Sequence, residues 1–380
     1  MSGVLPARAG TLRTELCTDE REFAALAPAW ERLYRRCAAA TPFQSHAWLH
    51  SWWMSYGRPG RLRLVLVRDG DERGEGGELR AAAPLMWMVR PLPRLVPLGG
   101  PISDFGDVLL DDEHADRAAA ALAVALSTSA RTALIDFREV RPGAAVEHVY
   151  EQWRGPRRRV HDSLCLDLPA LPMEELTARL PTAKARQVRA KLRKLAALGV
   201  THRTTPPDEA GTALRRLLSL HRLQWQGRGV TPEHLRERFA AHLVRAVVPL
   251  VRSGDAVVTE FLLDGEVVAV DLTLLSPRLA GCYLYGVHPL LRERRADIAV
   301  MLLDVCARYA ATGEHGTLSL LRGHEPYKLR WRPEPVVNQR LLLARRRTAP
   351  LLSAVAGHVA VRSRAREVVS EWKARSGTRT

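Results

Sequence analysis

The chain has 380 residues, 46% hydrophobic and 26% charged, the composition of an ordinary globular protein with length for two domains. Its apolar runs are broken by Arg, Pro or Asp before reaching the roughly 20 residues a membrane helix needs. The N-terminus, with Pro6 and Arg8, lacks the apolar core of a secretory signal, so a cytoplasmic location is expected. The net charge of +16 favours anions: nucleic acid, acidic lipid surfaces or phosphorylated cofactors. The surplus is nearly all Arg in an Ala-rich chain, a bias that genomic base composition also produces. Cys17, Cys37, Cys165, Cys282 and Cys306 are scattered, with no metal-ligand spacing, and their odd count fits reduced thiols.

Residues 1–20 carry no periodicity and are expected to fray. Apolar residues at Phe23, Leu26, Trp30, Leu33 and Tyr34 predict a helix over Glu22–Arg36, and Phe43–Tyr56 reads as a second, Trp-rich helix. Leu62–Val67 and Leu79–Val89 are predicted strands around a polar, Gly-rich loop. Arg94–Leu98, Asp107–Leu110, a helix over His114–Ser127 and a strand over Ala133–Phe137 complete a first half. The acids Asp111, Asp112, Glu113 and Asp116 before its helix suit a helix N-terminus and repel phosphate, so this half is expected to be chemically silent. Asp104 to Asp107 reads as a capped turn or a cleft wall.

Gly155-Pro156, within the basic stretch Arg154–Arg159, marks the connection between halves. Ser163–Leu168 is a predicted strand and Met173–Leu180 a short helix. Lys184 to Lys194 holds six basic residues in eleven and no acid, with an apolar stripe at Val188, Leu192 and Leu195. It is either a solvated helix face or a phosphate- or RNA-facing groove. Glu209–Arg222 reads as a helix, with His221 and Trp225 one turn apart on one face.

Val257–Leu263 and Val267–Leu275 are strands joined by Asp264-Gly265, a pair that tolerates the positive φ of a hairpin turn. Ala280–Val287 is a third strand, with Tyr283 and Tyr285 on one face. Asp297 caps a helix carrying Ile298, Met301, Leu302, Val305 and Tyr309, and Gly313 ends it. Thr317–Leu321 is a short buried strand. The order hairpin, strand, helix, strand thus occurs twice, and the helix N-terminus in 256–322 opens where a phosphate can be held. Leu341–Leu343 is a possible last strand. Residues 345–380 carry nine Lys/Arg against two acids, a tail that is either solvated or suited to a partner or an anionic surface.

Asp271 interrupts an apolar strand, and burial there would raise its pKa toward general-base work. Its alternative is a carboxylate on an exposed face.

The ending Arg322-Gly323-His324-Glu325-Pro326-Tyr327-Lys328-Leu329-Arg330-Trp331 resembles that of the CelD/BcsL-like branch of the GNAT N-acyltransferases. So do Leu220-His221-Arg222-Leu223-Gln224-Trp225 with Gly229, and the opening Trp30-Glu31-Arg32-Leu33, Thr41-Pro42-Phe43-Gln44-Ser45 and Trp48 to Trp53. The resemblance covers about residues 20 to 345 and implies an α/β fold of two tandem GNAT-like domains, each a mixed sheet with flanking helices. The divisions it suggests are 1–160 (degenerate), 161–345 (acyltransferase) and 346–380 (basic tail). It implies an acetyl or longer acyl group moved from acyl-CoA to an amine, with an amino sugar or a polysaccharide or cell-envelope precursor among the acceptors it suggests. Arg292, Arg294 and Arg295 would cradle the phosphates, Asp271 act as base and Tyr285 as acid. His221, Trp225, Arg322, Tyr327 and Lys328 would line the acceptor site. The small residue, Pro and Gly usual before the cofactor helix are replaced by Arg295, Ala296 and Asp297, and Ser319 stands where an Asp is usual. A FemABX-like transferase fed by aminoacyl-tRNA, and a non-catalytic scaffold, are the alternatives.

Overall fold

The computed structural model describes residues 12–70, 77–224, 232–313, 315–323 and 325–357. Trp225, Gly229 and residues 358–380 of the basic tail, singled out from the sequence, lie outside these residues. The chain is mixed α/β, with thirteen strands in one sheet among the described residues. They are β1 Leu12–Cys17, β2 Leu62–Asp69, β3 Leu79–Met88, β4 Arg94–Pro97, β5 Leu109–Leu110, β6 Leu134–Val140, β7 Arg157–Pro169, β8 Thr201–Thr204, β9 Ala256–Leu263, β10 Glu266–Leu275, β11 Ala280–Val287, β12 Thr317–Arg322 and β13 Glu334–Leu343.

Their order across the sheet is β1-β2-β3-β4-β6-β13-β7-β12-β11-β10-β9-β8, with β5 added beside β3. Read from either edge, the pairings run antiparallel three times, parallel once, then antiparallel to the middle. The two halves therefore repeat one winding about the β13–β7 seam. Each half also passes its last strand to the other. β7 leaves the first half and pairs with β12, while β13 ends the second half and pairs with β6. Residue 160 falls inside β7.

Packing joins the halves as well. The helix His46–Tyr56 lies on the helix Glu237–Ser253, and a single apolar cluster runs from Trp30, Phe43 and Trp48 to Leu214, Phe239 and Val247. A second cluster fills the space between β10, β11 and the helices Thr182–Ala197 and Ile298–Thr312.

Several expectations change. Leu12–Cys17 is an edge strand on β2, because pairing supplies the order that its weak pattern lacked. The helix over Glu22–Arg36 is two helices, Glu20–Ala25 and Ala27–Arg35, since Pro28 starts a new first turn. The Trp-rich helix begins at His46 after a short 3₁₀ turn, Pro42–Gln44, with Ser45 as its cap. The supposed connection at 154–159 already contains the start of β7. Helices Val146–Gln152 and Glu237–Ser253 and the strand β8 were not anticipated.

The seam carries buried charge. Arg340 on β13 donates to both oxygens of Asp136 on β6, at 2.6 and 2.7 Å, and Arg94 adds a third bond at 2.9 Å. Asp136 is fully buried and Arg340 nearly so. Arg340→Ala leaves that carboxylate with Arg94 alone, and a loss of about 3 kcal/mol is expected for the two charge-assisted bonds removed. The triple change Arg340→Met, Asp136→Leu, Arg94→Met, which removes all three charges, should recover most of it. Urea midpoints of both variants test this, and equal midpoints would exclude the seam pair as the cause.

Candidate active site

β11 and β12 run parallel for only two residue pairs, Ala280–Leu318 and Gly281–Ser319, and then part. Two local irregularities accompany the parting. Tyr283 is the extra residue of a bulge against β10, where the register steps from Leu272–Leu284 to Thr273–Cys282. On β12, Leu320 and Leu321 drop out of the pairing with β7, and Leu321 takes a φ of 59°. Ser319, fully buried, accepts the Leu321 N–H through its hydroxyl at 3.2 Å and so braces that kink. A non-Gly residue held at positive φ costs on the order of 1–3 kcal/mol and persists only where its surroundings impose it.

A cavity of about 820 Å³ opens in the gap. The second half contributes Asp271, Cys282, Tyr283, Tyr285, Arg292, Leu302, Arg322, Tyr327, Lys328 and Trp331 to its wall. The first half contributes Trp52, Tyr56, Pro101, Ile102 and Asp104, so the half expected to be silent forms one side of the site. Asp104, read from sequence as a turn or a cleft wall, is both a lining residue and an ion-pair partner of Arg322.

The parting of β11 from β12 leaves backbone groups to be satisfied. The helix Ala210–Gln224 does this for two of them. His221 Nδ1 donates to the Tyr285 carbonyl at 2.8 Å, and Gln224 Oε1 accepts the Val287 N–H at 3.1 Å. Such close approach depends on Gly286, where a Cβ would lie 2.2 Å from the Leu217 carbonyl oxygen. His221 is thus a packed histidine beside the site; His234 lines the cavity next to it.

Asp271 is buried at 1% exposure and its Oδ2 accepts from Thr273 Oγ1 at 2.9 Å and from Cys306 Sγ at 3.5 Å. Burial pushes its carboxyl up to about 6, against those hydrogen bonds, which favour the charged form. Tyr285 is its cross-strand partner, so both side chains share the face toward the helix Ile298–Thr312. Burial raises the Tyr285 hydroxyl above its usual value and keeps it protonated. The bulge turns Tyr283 the other way: it packs edge-on against Trp48 and donates to the Ile102 carbonyl at 2.8 Å. The two tyrosines do not share a face.

Arg322 is committed to the first half. Its guanidinium binds Asp104 at 2.9 Å, Glu139 at 3.0 Å and the carbonyls of Pro101 and Ser103. Lys328 donates to the Arg322 carbonyl at 2.8 Å and pairs with Glu325 at 2.9 Å. Tyr327 remains 40% exposed at the wall.

Of the three arginines expected to cradle phosphate, Arg292 alone lines the cavity, and its side chain makes no hydrogen bond or ion pair among the described residues. Arg294 and Arg295 are exposed outside the wall. Asp297 caps the helix Ile298–Thr312 through the Val300 N–H at 3.1 Å, and its Oδ2 is held by Lys191 at 2.6 Å and Arg330 at 2.9 Å. Burial opposes its ionisation, but Lys191, the Val300 N–H and Arg330 outweigh that and hold the carboxyl below the usual range. The sequence did not show that Lys191 and Arg330 compensate this acid, because they meet it only through tertiary packing. A second groove of about 380 Å³ adjoins them, lined by Lys184, Gln187, Val188, Lys191, Pro326, Leu329 and Arg330. No described helix is long and apolar enough to cross a membrane.

Residues 183–329 match the family described as an acetyltransferase (GNAT) domain. No curated protein sequence matches the chain. Three solved structures share its overall fold. One is FemX, 11% identical over 89% of this chain and 99% of that one, with a TM-score of 0.57. Another is a conserved protein of unknown function from Bacteroides thetaiotaomicron, 10% identical over 87% and 99%, at 0.53. The third is the C-terminal domain of a putative lysylphosphatidylglycerol synthetase from Agrobacterium fabrum, 12% identical over 89% and 97%, at 0.52. The chain is a mixed α/β protein whose residues 183–329 are similar to an acetyltransferase (GNAT) domain.

Proposed function

We propose that the chain is an N-acyltransferase of the CelD/BcsL-like kind, moving an acetyl or longer acyl group from acyl-CoA to an amine. The observation that supports it is the cavity in the gap between β11 and β12, with a buried carboxyl and a protonated tyrosine among its lining residues and a wall from each half. The residues fit a donor of this kind. The gap suits a narrow pantetheine arm, and Arg292 stands at the wall without a hydrogen-bond or ion-pair partner among the described residues. The groove beside Asp297 adds Lys184 for phosphate, Lys191 and Arg330 there being paired with Asp297. Acyl-CoA would supply an activated carbonyl and a thiolate leaving group.

The chain's own groups then have two proton tasks. An amine must lose a proton to form the amide, and the departing sulfur must gain one. Asp271 is the base we assign to the first task and Tyr285 the acid for the second. Trp52 and Tyr56, stacked at 5.5 Å, offer an aromatic platform on the first-half side. An amino sugar, or a polysaccharide or cell-envelope precursor, is the acceptor class we favour, because such a face suits an amphipathic body.

A second reading, an aminoacyl-tRNA-dependent transferase, draws on one observation. Asp297 fills the helix N-terminus with its own carboxylate, while Lys184, Arg186, Arg189, Arg193 and Lys194 stand exposed on the adjoining helix. Thermal unfolding with acetyl-CoA, longer acyl-CoAs and tRNA separates the two. A ligand at 100 times its Kd stabilises by about 2.7 kcal/mol. We expect acyl-CoA to raise Tm; a rise with tRNA alone would favour the second reading, and no rise with any acyl-CoA would remove the first.

Arg292→Ala should weaken acetyl-CoA binding about 10-fold or more, the worth of one charge-assisted hydrogen bond. Arg295→Ala should leave it within about 2-fold. Calorimetric titration of both variants checks the contrast, and the reverse order would move the phosphate site away from the cavity.

Asp271→Asn carries opposite expectations for stability and turnover. A carboxyl raised in the folded state makes stability fall as pH rises from about 4 to about 6, and the penalty is complete above that. Asn removes the penalty, so the variant should gain on the order of 1–3 kcal/mol at neutral pH and nothing near pH 3.5. Thiol release from acetyl-CoA in the presence of amines should fall by a factor on the order of 100 to 10,000. Unchanged turnover would remove Asp271 as the base.

A further inference from the structure

The acceptor side of the cavity holds few open polar groups. Glu233 is engaged by Arg238 through two bonds, at 2.6 and 2.7 Å, and Asp104 by Arg322. His234 lines the same cavity, on the short 3₁₀ turn Pro232–Leu235, with its ring stacked on the buried Phe239 at 4.6 Å.

Its protonation pattern follows from a backbone group two links away. A carbonyl oxygen can only accept, so the 2.8 Å contact with Tyr285 puts the His221 hydrogen on Nδ1. The other nitrogen of a neutral His221, Nε2, then carries a lone pair. His234 Nδ1 lies 3.4 Å from it and donates its hydrogen there. The remaining nitrogen, His234 Nε2, is left with a lone pair, and it makes no hydrogen bond to another described residue. Burial lowers both imidazoles, His234 to about 4 with His221 as the next cause, so both rings are neutral near pH 7. An imidazole this weak accepts a hydrogen bond without keeping a proton.

We propose that His234 binds the acceptor, its Nε2 accepting a hydrogen bond from an N–H or O–H of that substrate, in a tautomer set by the Tyr285 carbonyl through His221. The acceptor role rests on the acyltransferase reading; the tautomer and the preference for donors do not. An uncharged amine that donates its N–H in this way keeps its own lone pair free for the acyl carbon. Carboxylates and phosphates are disfavoured, because their oxygens would face another lone pair.

Long-range proton–nitrogen NMR of isotope-labelled histidines tests this in the intact chain, with His234→Phe assigning the signal. At pH 7 we expect His234 to be neutral with hydrogen on Nδ1 and a bare Nε2. Benzyl alcohol, a neutral donor on an aromatic body, should shift the Nε2 resonance, while benzoate should not. Hydrogen on Nε2, a charged ring, no response to the alcohol, or a response to benzoate alone would overturn the proposal. Acyl-CoA takes no part in the experiment, so its outcome is separate from that of the donor-binding test.

Discussion

A parallel strand pair that stops after two residue pairs is the constraint on which the site depends. Backbone groups buried without partners are costly, so β11 and β12 can part only if other groups take over. On β11, His221 and Gln224 do so, and Gly286 lets their helix come within reach. On β12, the Ser319 hydroxyl braces Leu321 in a left-handed conformation, and Arg322 is held by Asp104, Glu139 and two carbonyls of the first half. The gap stays open because both of its edges are tied back.

The exchange of last strands bears on the same point. β7 and β13 cross between halves, so the first-half segment Pro101–Asp104 sits fixed against β12. Trp48, packed edge-on to His242 at 4.7 Å and to Tyr283 at 5.2 Å, adds an apolar tie between them. The first half supplies one wall of the cavity through Trp52, Tyr56, Pro101, Ile102 and Asp104. Its acids also have structural tasks: Asp111 receives Arg36 and Arg80, and Asp107 accepts the Ala145, Val146 and Val108 N–H groups.

Charge is managed by pairing rather than by exclusion. The acid at the helix N-terminus, Asp297, meets Lys191 and Arg330, and Glu260 on β9 meets Arg203 and Arg216. Asp271 is different: among the described residues its Oδ2 accepts from the Thr273 hydroxyl and the Cys306 thiol, both neutral. Neutral donors leave its ionisation sensitive to burial, which is what separates it from the other buried carboxylates of the second half.

Local pattern determined much of this protein. Alternation and the Asp264-Gly265 turn define β9 and β10, and helical spacing with an Asp cap defines Ile298–Thr312, because these signals act over a few residues. The apolar neighbours of Asp271 left burial or an exposed face open from sequence, and the packing of the helix Ile298–Thr312 on that face buries it. What tertiary structure alone decided lies in contacts between distant segments: β7 and β13 changing sides, Arg35 meeting Asp255 and Arg322 meeting Asp104. The bulge at Tyr283 reversed its facing relative to Tyr285, since one inserted residue shifts a period of two. His234 was invisible for the same kind of reason. Its role depends on a carbonyl and a second imidazole from other parts of the chain, and one-dimensional spacing does not encode which of its nitrogens is left bare.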